Sequence, residues 1–373
     1  MELAYESWYW VENADQLDSP ALLIYPDRVK ENIRILTGMI DDVARLRPHV
    51  KTNKTKEATA LMMQAGINKF KCATIAEAEM LGMCSAKDVL LAYQPVGPKL
   101  QRFASVIKKY PATKFSCLVD NVSAAKQQDK IFSDAALSVD VYLDLNTGMG
   151  RTGIAPGDAA LQLYKEASGM KGIHPVGLHA YDGHIRPLDF NEKKAECDKA
   201  FAAVENFKNQ IMDAGLPEPV IVAGGTPTFS VHCKREKIEC SPGTFIYWDK
   251  GYSDLCKEQK FLTAAVLVTR VVSLPTETRL CLDLGHKSVA AENEITKRVF
   301  FLNAPELKPV GQSEEHLVLD AGPNHPYKVG DILYALPYHV CPTCALYERA
   351  YTAEGHRITG EWKMIARDRK ISC

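Results

Sequence analysis

Lys51 is the residue whose type and position point most directly to chemistry. It ends an apolar run in the stretch Arg-Pro-His-Val-Lys-Thr-Asn-Lys, and His49 lies two residues earlier, on the same side of an extended chain. A lysine at a strand end is placed to be partly desolvated, which lowers the pKa of its amine and makes it a nucleophile toward aldehydes. The alternative is a solvated loop lysine, as Lys54 and Lys56 are expected to be.

Three glycine-containing segments could contact an anionic ligand. In Ala-Gly-Gly-Thr, Gly225 would let backbone amides approach a phosphate, and the Thr226 hydroxyl would add a donor. Gly243 and Thr244, in Ser-Pro-Gly-Thr-Phe, form a second candidate wall. Arg151, in Asn-Thr-Gly-Met-Gly-Arg-Thr-Gly, is a fixed cation that could hydrogen-bond a phenolate or a carboxylate. Tight turns and a surface arginine are the structural alternatives.

His339 and Cys341 form a candidate metal pair near the carboxyl end of the chain. In Tyr-His-Val-Cys-Pro-Thr-Cys they are two positions apart, and on an extended strand both would point the same way. Imidazole and thiolate suit Zn²⁺, and an incomplete set of protein ligands leaves room for water or substrate. Cys344 completes a Cys-x-x-Cys, so a structural zinc knuckle and a redox pair are alternatives, although neither has its usual sequence context.

The elements that position these residues begin with eight apolar runs of strand length. They are rich in Val, Ile, Leu or Cys without polar alternation, as strands buried on both faces are, and amphipathic segments such as 27–44 and 190–214 separate them. Eight successive β/α units predict a (β/α)8 TIM-type barrel, with an open doubly wound sheet as the alternative. The runs are 21–25, 46–51, 69–74, 89–94, 115–120, 139–146, 176–182 and 220–225.

Barrel active sites lie at the carboxyl ends of the strands. Those positions are polar here, so we expect their side chains to converge on one mouth. They are Lys51, Thr74, Gln94, Asp120, Asn146, Tyr181, Asp182 and the segment 224–226.

The sequence pattern changes after Phe261. Strand-like runs are separated there by Pro, Gly and polar turns without a long helical pattern, which predicts a second, all-β domain. We place the barrel at 19–260 and the β domain, with its metal motif, at 261–373, and residues 1–18 could pack with the second domain.

Composition excludes several classes of partner. The formal net charge is −1 with no basic or acidic block, so neither nucleic acid nor a membrane surface is expected to bind. The start of the chain does not resemble a signal peptide, and no apolar run could span a bilayer. The 11 cysteines are scattered without a pairing pattern, which is typical of a reducing compartment, so we expect a cytoplasmic protein.

Taken together, the motifs resemble the fold-type III pyridoxal-phosphate (PLP) enzymes, which have an alanine racemase-like barrel followed by a β domain. More narrowly, they resemble the D-threonine aldolase and D-serine dehydratase branch, over most of the chain. The matching segments are Leu17-Asp-Ser-Pro-Ala, Arg47-Pro-His-Val-Lys-Thr, Asp144-Leu-Asn-Thr-Gly-Met-Gly-Arg-Thr-Gly, His179-Ala-Tyr-Asp-Gly-His, Gly224-Gly-Thr, Asp283-Leu-Gly-His-Lys and Pro337-Tyr-His-Val-Cys-Pro-Thr.

The resemblance implies a role for each candidate in the barrel. Lys51 would carry PLP as a Schiff base, and Gly225 and Thr226 would hold its phosphate. Arg151 would approach the oxygen on the cofactor ring, and Tyr181 would lie against the cofactor. From their positions in the sequence, we expect Gly243 and Thr244 to help bind the phosphate. We also expect His49, two residues before the lysine, to be a catalytic residue.

The resemblance also implies that His339 and Cys341 bind a divalent metal, Zn²⁺ or Mn²⁺, beside the hydroxyl of a small D-amino acid, and that the protein is a homodimer. Within the branch, His-x-Asp is familiar from aldolases and His-x-Cys from D-serine dehydratases. The segments His-Ala-Tyr-Asp-Gly-His and Gly-Glu-Trp-Lys resemble the aldolases more closely. We therefore predict a D-threonine aldolase-like lyase, with a dehydratase as the alternative. A plain racemase and a non-catalytic PLP-binding protein are further alternatives.

Overall fold

The computed structural model describes residues 7–373, and its barrel is built on one parallel sheet. Seven strands follow one another across this sheet in chain order, as the predicted β/α repeat requires. They are β2 (Lys69–Cys72), β3 (Asp88–Leu91), β4 (Lys114–Val119), β5 (Val139–Asp144), β6 (Ile173–Ala180), β7 (Val220–Ala223) and β8 (Ile238–Cys240).

Residues 46–50 join the two edges of this sheet and occupy the place of the remaining barrel strand. Leu46 forms a parallel bridge with Cys240 of β8, and His49 forms one with Lys71 of β2. The N–H of Arg47 donates to the carbonyl of Cys240 at 2.8 Å, which continues the ladder. The (β/α)8 fold class is therefore confirmed, and residues 46–50 are its first strand in chain order.

Helices cover the outside of the barrel, and polar caps start several of them. The Thr74 hydroxyl, for example, accepts the N–H of Glu77 at 3.1 Å. The barrel helices are α1 (Pro26–Gly38), α2 (Lys56–Gln64), α3 (Ile75–Met83), α4 (Pro98–Lys109), α5 (Val122–Asp134), α6 (Asp158–Ser168), α7 (Phe190–Asp213), α8 (Phe229–His232) and α9 (Lys250–Leu255).

The second sheet is mainly antiparallel, which confirms the all-β carboxyl-terminal domain. Its strands are β1 (Ala21–Ile24), β9 (Ala265–Thr276), β10 (Arg279–Leu282), β11 (Val299–Phe301), β12 (Lys308–Gln312), β13 (Leu317–Asp320), β14 (Ile332–Pro337), β15 (Arg349–Glu354) and β16 (Arg357–Lys363). Their order in the sheet is β12-β13-β10-β9-β1-β15-β16, and β14 pairs with both β9 and β11. The helix α10 (Val340–Leu346) follows β14.

The prediction that residues 21–25 form the first barrel strand is wrong. In β1, Leu23 pairs with Val266 of β9 on one side and with Tyr351 of β15 on the other, so the strand belongs to the second sheet. Val11 and Leu17 of the preceding segment are buried in the same core cluster as Val266. The boundary at residues 260 and 261 stays a prediction. Among residues 7–373, we find no helix with the length and hydropathy of a membrane span.

Candidate active site

The lysine singled out by the sequence lies in the turn that follows the first barrel strand. Lys51 is half-buried, and its amine has no hydrogen-bond or ion-pair partner among residues 7–373. The backbone N–H of Lys51 donates to Nδ1 of His49 at 3.2 Å. Burial, together with the ammonium groups of Lys51 and Lys71, holds the pKa of His49 well below its usual value. His49 is therefore a neutral imidazole beside an unpaired amine.

A second lysine, which the sequence did not reveal, lies buried in the same mouth. Lys71 donates to Ser241 Oγ at 2.6 Å, and its Nζ is 3.2 Å from Nε2 of His179. The other ring nitrogen of His179 is 2.7 Å from a carboxylate oxygen of Asp144. Burial and the nearby charge of Lys51 lower the pKa of Lys71 to about 7. The one sign of Lys71 in the sequence was a lysine inside the apolar run Phe-Lys-Cys.

The two glycine segments proposed for a phosphate meet at Thr226. Its hydroxyl oxygen accepts the N–H groups of Gly243 and Thr244, each at 3.0 Å. The hydroxyl proton is therefore free to donate elsewhere, and the N–H of Thr226 has no acceptor among the described residues. A β-carbon on Gly225 would lie 2.9 Å from the ring of Tyr181, so only glycine leaves that approach open. The loops follow the seventh and eighth barrel strands, where barrels commonly hold phosphate.

A buried cluster beneath the loop fixes its conformation. The N–H of Gly225 donates to Thr228 Oγ1 at 3.3 Å, and that hydroxyl donates to Asp182 at 2.7 Å. The other oxygen of Asp182 is 2.7 Å from Nε2 of His232, and Cys197 lies beside it. These side-chain types can bind a metal ion, but both oxygens of the carboxylate already have hydrogen-bond donors. The cluster therefore acts as an anchor for the loop.

Arg151 and Tyr181, both predicted site residues, lie together. The guanidinium of Arg151 is 5.1 Å from the centroid of the Tyr181 ring, and Nζ of Lys71 is 5.6 Å from the same centroid. The Arg151 loop is shaped by Asn146, whose side-chain oxygen accepts two backbone N–H groups at 3.1 Å. The Tyr181 ring, with these two cations near it, suits a ligand that is both aromatic and anionic.

His339 and Cys341 come together, but not on a strand as predicted. The strand β14 ends before them, His339 caps the short helix α10, and Cys341 lies in its first turn. Nδ1 of His339 hydrogen-bonds the carboxylate of Glu292. Burial alone would lower the pKa of His339, but Cys341 and Glu292 raise it to about 9. Burial alone would raise the pKa of Cys341, but His339 and Lys51 lower it overall. Sγ of Cys341 is 3.0 Å from the hydroxyl oxygen of Thr52, next to the lysine.

These observations test whether PLP and a divalent metal ion would fit the residues of this site. An unpaired amine at Lys51, free donors at Thr226 and a glycine without room for a β-carbon suit an aldehyde cofactor with a phosphate arm. Nitrogen and thiol ligands suit Zn²⁺, and a carboxylate behind the histidine is a common support for such a ligand. The sequence missed Glu292 because it lies 47 positions from the histidine that it contacts.

The comparisons with known proteins agree with this architecture. The family model for the alanine racemase N-terminal domain matches residues 24–250. The chain belongs to the alanine racemase N-terminal domain family. A second model, for a serine dehydratase domain, matches residues 264–353. This two-domain arrangement is the one that the resemblance implied.

At least four curated relatives cover nearly the whole chain, two of them named 3-hydroxy-D-aspartate aldolase. A D-threonine aldolase of Arthrobacter sp. is 25% identical over an alignment of 360 residues that covers 94% of this chain and 93% of that protein. A D-threo-3-hydroxyaspartate dehydratase of Delftia sp. (strain HT23) is 25% identical over an alignment of 374 residues that covers 92% of this chain and 97% of that protein. Among solved structures, D-threonine aldolase from Filomicrobium marinum has a TM-score of 0.85 at 24% identity, covering 95% of this chain and 96% of that one.

Proposed function

We propose that this protein is a PLP- and divalent-metal-dependent lyase that acts on a D-3-hydroxy amino acid, as D-threonine aldolase does in converting D-threonine to glycine and acetaldehyde. One contact carries the proposal. Thr52, the residue after Lys51, lies 3.0 Å from Sγ of Cys341, so the lysine turn and the metal pair belong to one site. A racemase would need the first of these features but not the second.

The barrel residues would bind and orient the cofactor. When bound, PLP would supply an aldehyde for the substrate's amino group and an electron sink for the electron pair left at Cα. Lys51 would hold the aldehyde carbon, and Thr226 would bind the phosphate through its hydroxyl and N–H. Gly243 and Thr244 would contribute by fixing the Thr226 hydroxyl rather than by donating their own amides.

The remaining polar groups would handle protons and charge. Because Nδ1 of His49 accepts a backbone N–H, its proton lies on Nε2, and the ring can donate a hydrogen bond into the mouth. Arg151 and Tyr181, which lie together, would contact the cofactor. His339 and Cys341 would bind one divalent ion, Zn²⁺ or Mn²⁺, which would supply a Lewis acid for the substrate's β-hydroxyl.

A dehydratase is the second candidate, because the metal pair is His-x-Cys. A D-threo-3-hydroxyaspartate dehydratase has been solved as an alanine variant of a histidine and, separately, of a cysteine two positions later, the cysteine variant in a metal-free form. His339 and Cys341 have the same spacing. In that reaction Lys51 would take the Cα proton, and the metal site would stabilise the departing hydroxide.

Product analysis separates these functions. Purified protein with PLP and Zn²⁺ or Mn²⁺ would be given D-threonine and D-serine. Glycine plus acetaldehyde supports the aldolase, whereas a 2-oxo acid plus ammonia supports the dehydratase. Borohydride should fix PLP on Lys51, as detected by peptide mass spectrometry. Racemisation that a chelator does not affect would contradict both lyases.

We further propose a cytoplasmic homodimer. All 11 cysteines are free thiols, and most are buried, which supports a reducing compartment. The net charge of −1 gives no reason to expect a nucleic-acid partner. Size-exclusion chromatography with light scattering would measure the oligomeric state.

A further inference from the structure

Lys71 is buried in the barrel mouth without a counter-charge. It lies on β2, it is only 2% exposed, and its amine forms no ion pair with a carboxylate in the part of the chain that the structure describes. A buried charge is costly unless it is paired, and burial together with Lys51 lowers the pKa of this amine to about 7. A buried lysine with a purely structural role would be expected to have a carboxylate partner, as Lys193 has in Glu258.

Both groups that Lys71 contacts accept hydrogen bonds from it. Ser241 Oγ lies 2.6 Å from Nζ and uses its own proton to donate to the carbonyl of Gly224 at 2.9 Å. Nδ1 of His179 faces Asp144, so the ring proton lies there, and Nε2 accepts from Nζ at 3.2 Å. These contacts use two N–H groups of the amine. The remaining position on Nζ is an N–H when the amine is charged and a lone pair when it is neutral, and no described residue meets it.

The neighbours of Lys71 place its amine where the cofactor ring is expected. The carbonyl that Ser241 contacts belongs to the phosphate segment 224–226. Nζ of Lys71 is 5.6 Å from the centroid of the Tyr181 ring, which is expected to lie against the cofactor. Lys51 is near enough to lower the pKa of Lys71. The amine therefore lies near all three parts of the site, which are assigned to the phosphate, the ring and the aldehyde.

PLP has four polar groups, and three of them already have a candidate partner. Lys51 would hold the aldehyde, Thr226 the phosphate and Arg151 the ring oxygen. The ring nitrogen, which lies across the ring from the carbon that bears the aldehyde, has none. His49 can donate into the mouth, but it lies beside Lys51, at the aldehyde. Lys71 is buried below the mouth and has a position free for the nitrogen.

We propose that Lys71 binds the ring nitrogen of PLP, with one proton held between the amine and the nitrogen. The inference rests on the proposed function, which places PLP in this mouth. An ammonium group donates to an unprotonated nitrogen, and a neutral amine accepts from a protonated one, so a lysine suits either state. An arginine stays charged and could only donate. His179 and Ser241 orient the amine, and a hydrogen bond to the ring nitrogen is one way in which a protein tunes PLP as an electron sink.

The first test compares PLP with PLP that is methylated at its ring nitrogen, which can neither accept nor donate a hydrogen bond there. The proteins are the parent, Lys71→Ala, which leaves room for the methyl group, and the control Lys69→Ala. Lys69 lies two residues earlier on the same strand, but its side chain is 33% exposed and pairs with Glu239. Dissociation constants are measured from the absorption band of the bound cofactor, and circular dichroism checks that each variant is folded.

The parent should discriminate strongly between the two compounds. A hydrogen bond to a charged group contributes roughly tenfold to a hundredfold in affinity, so the parent should bind PLP more tightly than the methylated compound by that factor. Lys71→Ala should lose a similar factor for PLP, and its two dissociation constants should differ by less than about threefold. Lys69→Ala should keep the discrimination of the parent.

The second test observes the nitrogen directly and does not depend on turnover. The protein is loaded with PLP that is isotopically labelled at the ring nitrogen, and the NMR signal of that atom is recorded. The signal should move between the parent and Lys71→Met, which keeps a long side chain, because the partner that shares the proton is removed. The signal of Lys69→Met should match that of the parent.

Failure of this inference differs from failure of the proposed function. Equal affinity for PLP in Lys71→Ala and the parent, or an equal loss for PLP and the methylated compound, would refute the contact with the ring nitrogen. An unchanged NMR signal in Lys71→Met would refute it as well. In each case the lyase stands if borohydride fixes PLP on Lys51 of the parent. If no protein in the series acquires that label, the proposed function fails first.

Discussion

Replacing Arg47 tests how the first barrel strand is held in place. Arg47 is only 1% exposed, although it carries a charge. Its Nε donates to Glu239 at 2.7 Å, and its two terminal nitrogens donate to Asp88 at 2.6 and 3.1 Å. The arginine thus joins residues 46–50 to β8 on one side and to β3 on the other. Arg47→Met would remove three charge-assisted hydrogen bonds and leave two carboxylates without their main partner.

The expected loss follows from the burial of this cluster. Removing one member of a buried ion pair costs about 3–5 kcal/mol, because the remaining charge stays desolvated. Asp88 is 23% exposed and can regain water, and Glu239 keeps Lys69, so we expect the lower end of this range. Residues 46–50 also lead directly to Lys51, so PLP affinity should fall together with the free energy of unfolding.

Urea unfolding followed by tryptophan fluorescence measures the first effect, and titration with PLP measures the second. Arg349→Met is the matched control, because that arginine pairs with Glu361 and Glu348 while 48% exposed. Exposed pairs contribute about 0–1 kcal/mol, so this variant should resemble the parent. If Arg47→Met is as stable as Arg349→Met and binds PLP equally well, the cluster does not hold the strand.

Three other substitutions give separate checks. Glu292→Gln should weaken Zn²⁺ binding by roughly tenfold to a hundredfold, because the carboxylate orients His339; metal titration measures this. Gly225→Val should weaken PLP binding with little change in the far-ultraviolet circular dichroism, because its β-carbon would meet Tyr181. Lys71→Met should raise the melting temperature more at pH 7 than at pH 9. Burial lowers the pKa of Lys71 to about 7, so the cost of its charge is full below that pH and fades as pH rises.

The sequence predicted the barrel because its strands are buried on both faces. The same property caused the error at residues 21–25. All four residues of β1 are buried, between β9 and β15, and a strand inside the second sheet has the same apolar pattern as a barrel strand. The pattern of apolar residues indicates that a strand is buried, but it does not indicate which strands lie beside it. The true last strand, β8, has only three residues and contains Glu239, so no apolar run marked it.

The metal pair illustrates a different limit. His339 and Cys341 were predicted on a strand, where residues two apart share a face. They lie instead at the start of α10, after the chain leaves β14. The side chains still meet because the cap residue and the second residue of the helix are close in space. The spacing of the two residues thus correctly predicted that their side chains meet, although they lie at the start of a helix and not on the predicted strand.

The candidate site was predictable where its residues end strands, and not where they lie inside elements or in distant loops. Lys51, Tyr181 and Thr226 follow apolar runs, so their convergence could be expected. Lys71 lies within a strand, where a charged side chain normally faces solvent. Glu292 is in a loop of the second domain, and no local pattern indicates that it meets His339.

Cys341, in the second domain, lies next to residues of the barrel. Its Sγ is 3.0 Å from the hydroxyl oxygen of Thr52, which follows Lys51, and 3.6 Å from that of Thr244, which lies in the loop after β8. Asp249, which is buried, accepts the N–H of Val340 and so fastens the helix of the metal pair to the barrel. Burial raises the pKa of Asp249 to about 6, against the two backbone hydrogen bonds that favour its charged form. A change that separates the domains would therefore remove the metal pair from the amine, so metal-dependent cleavage should be lost even where the barrel still binds PLP.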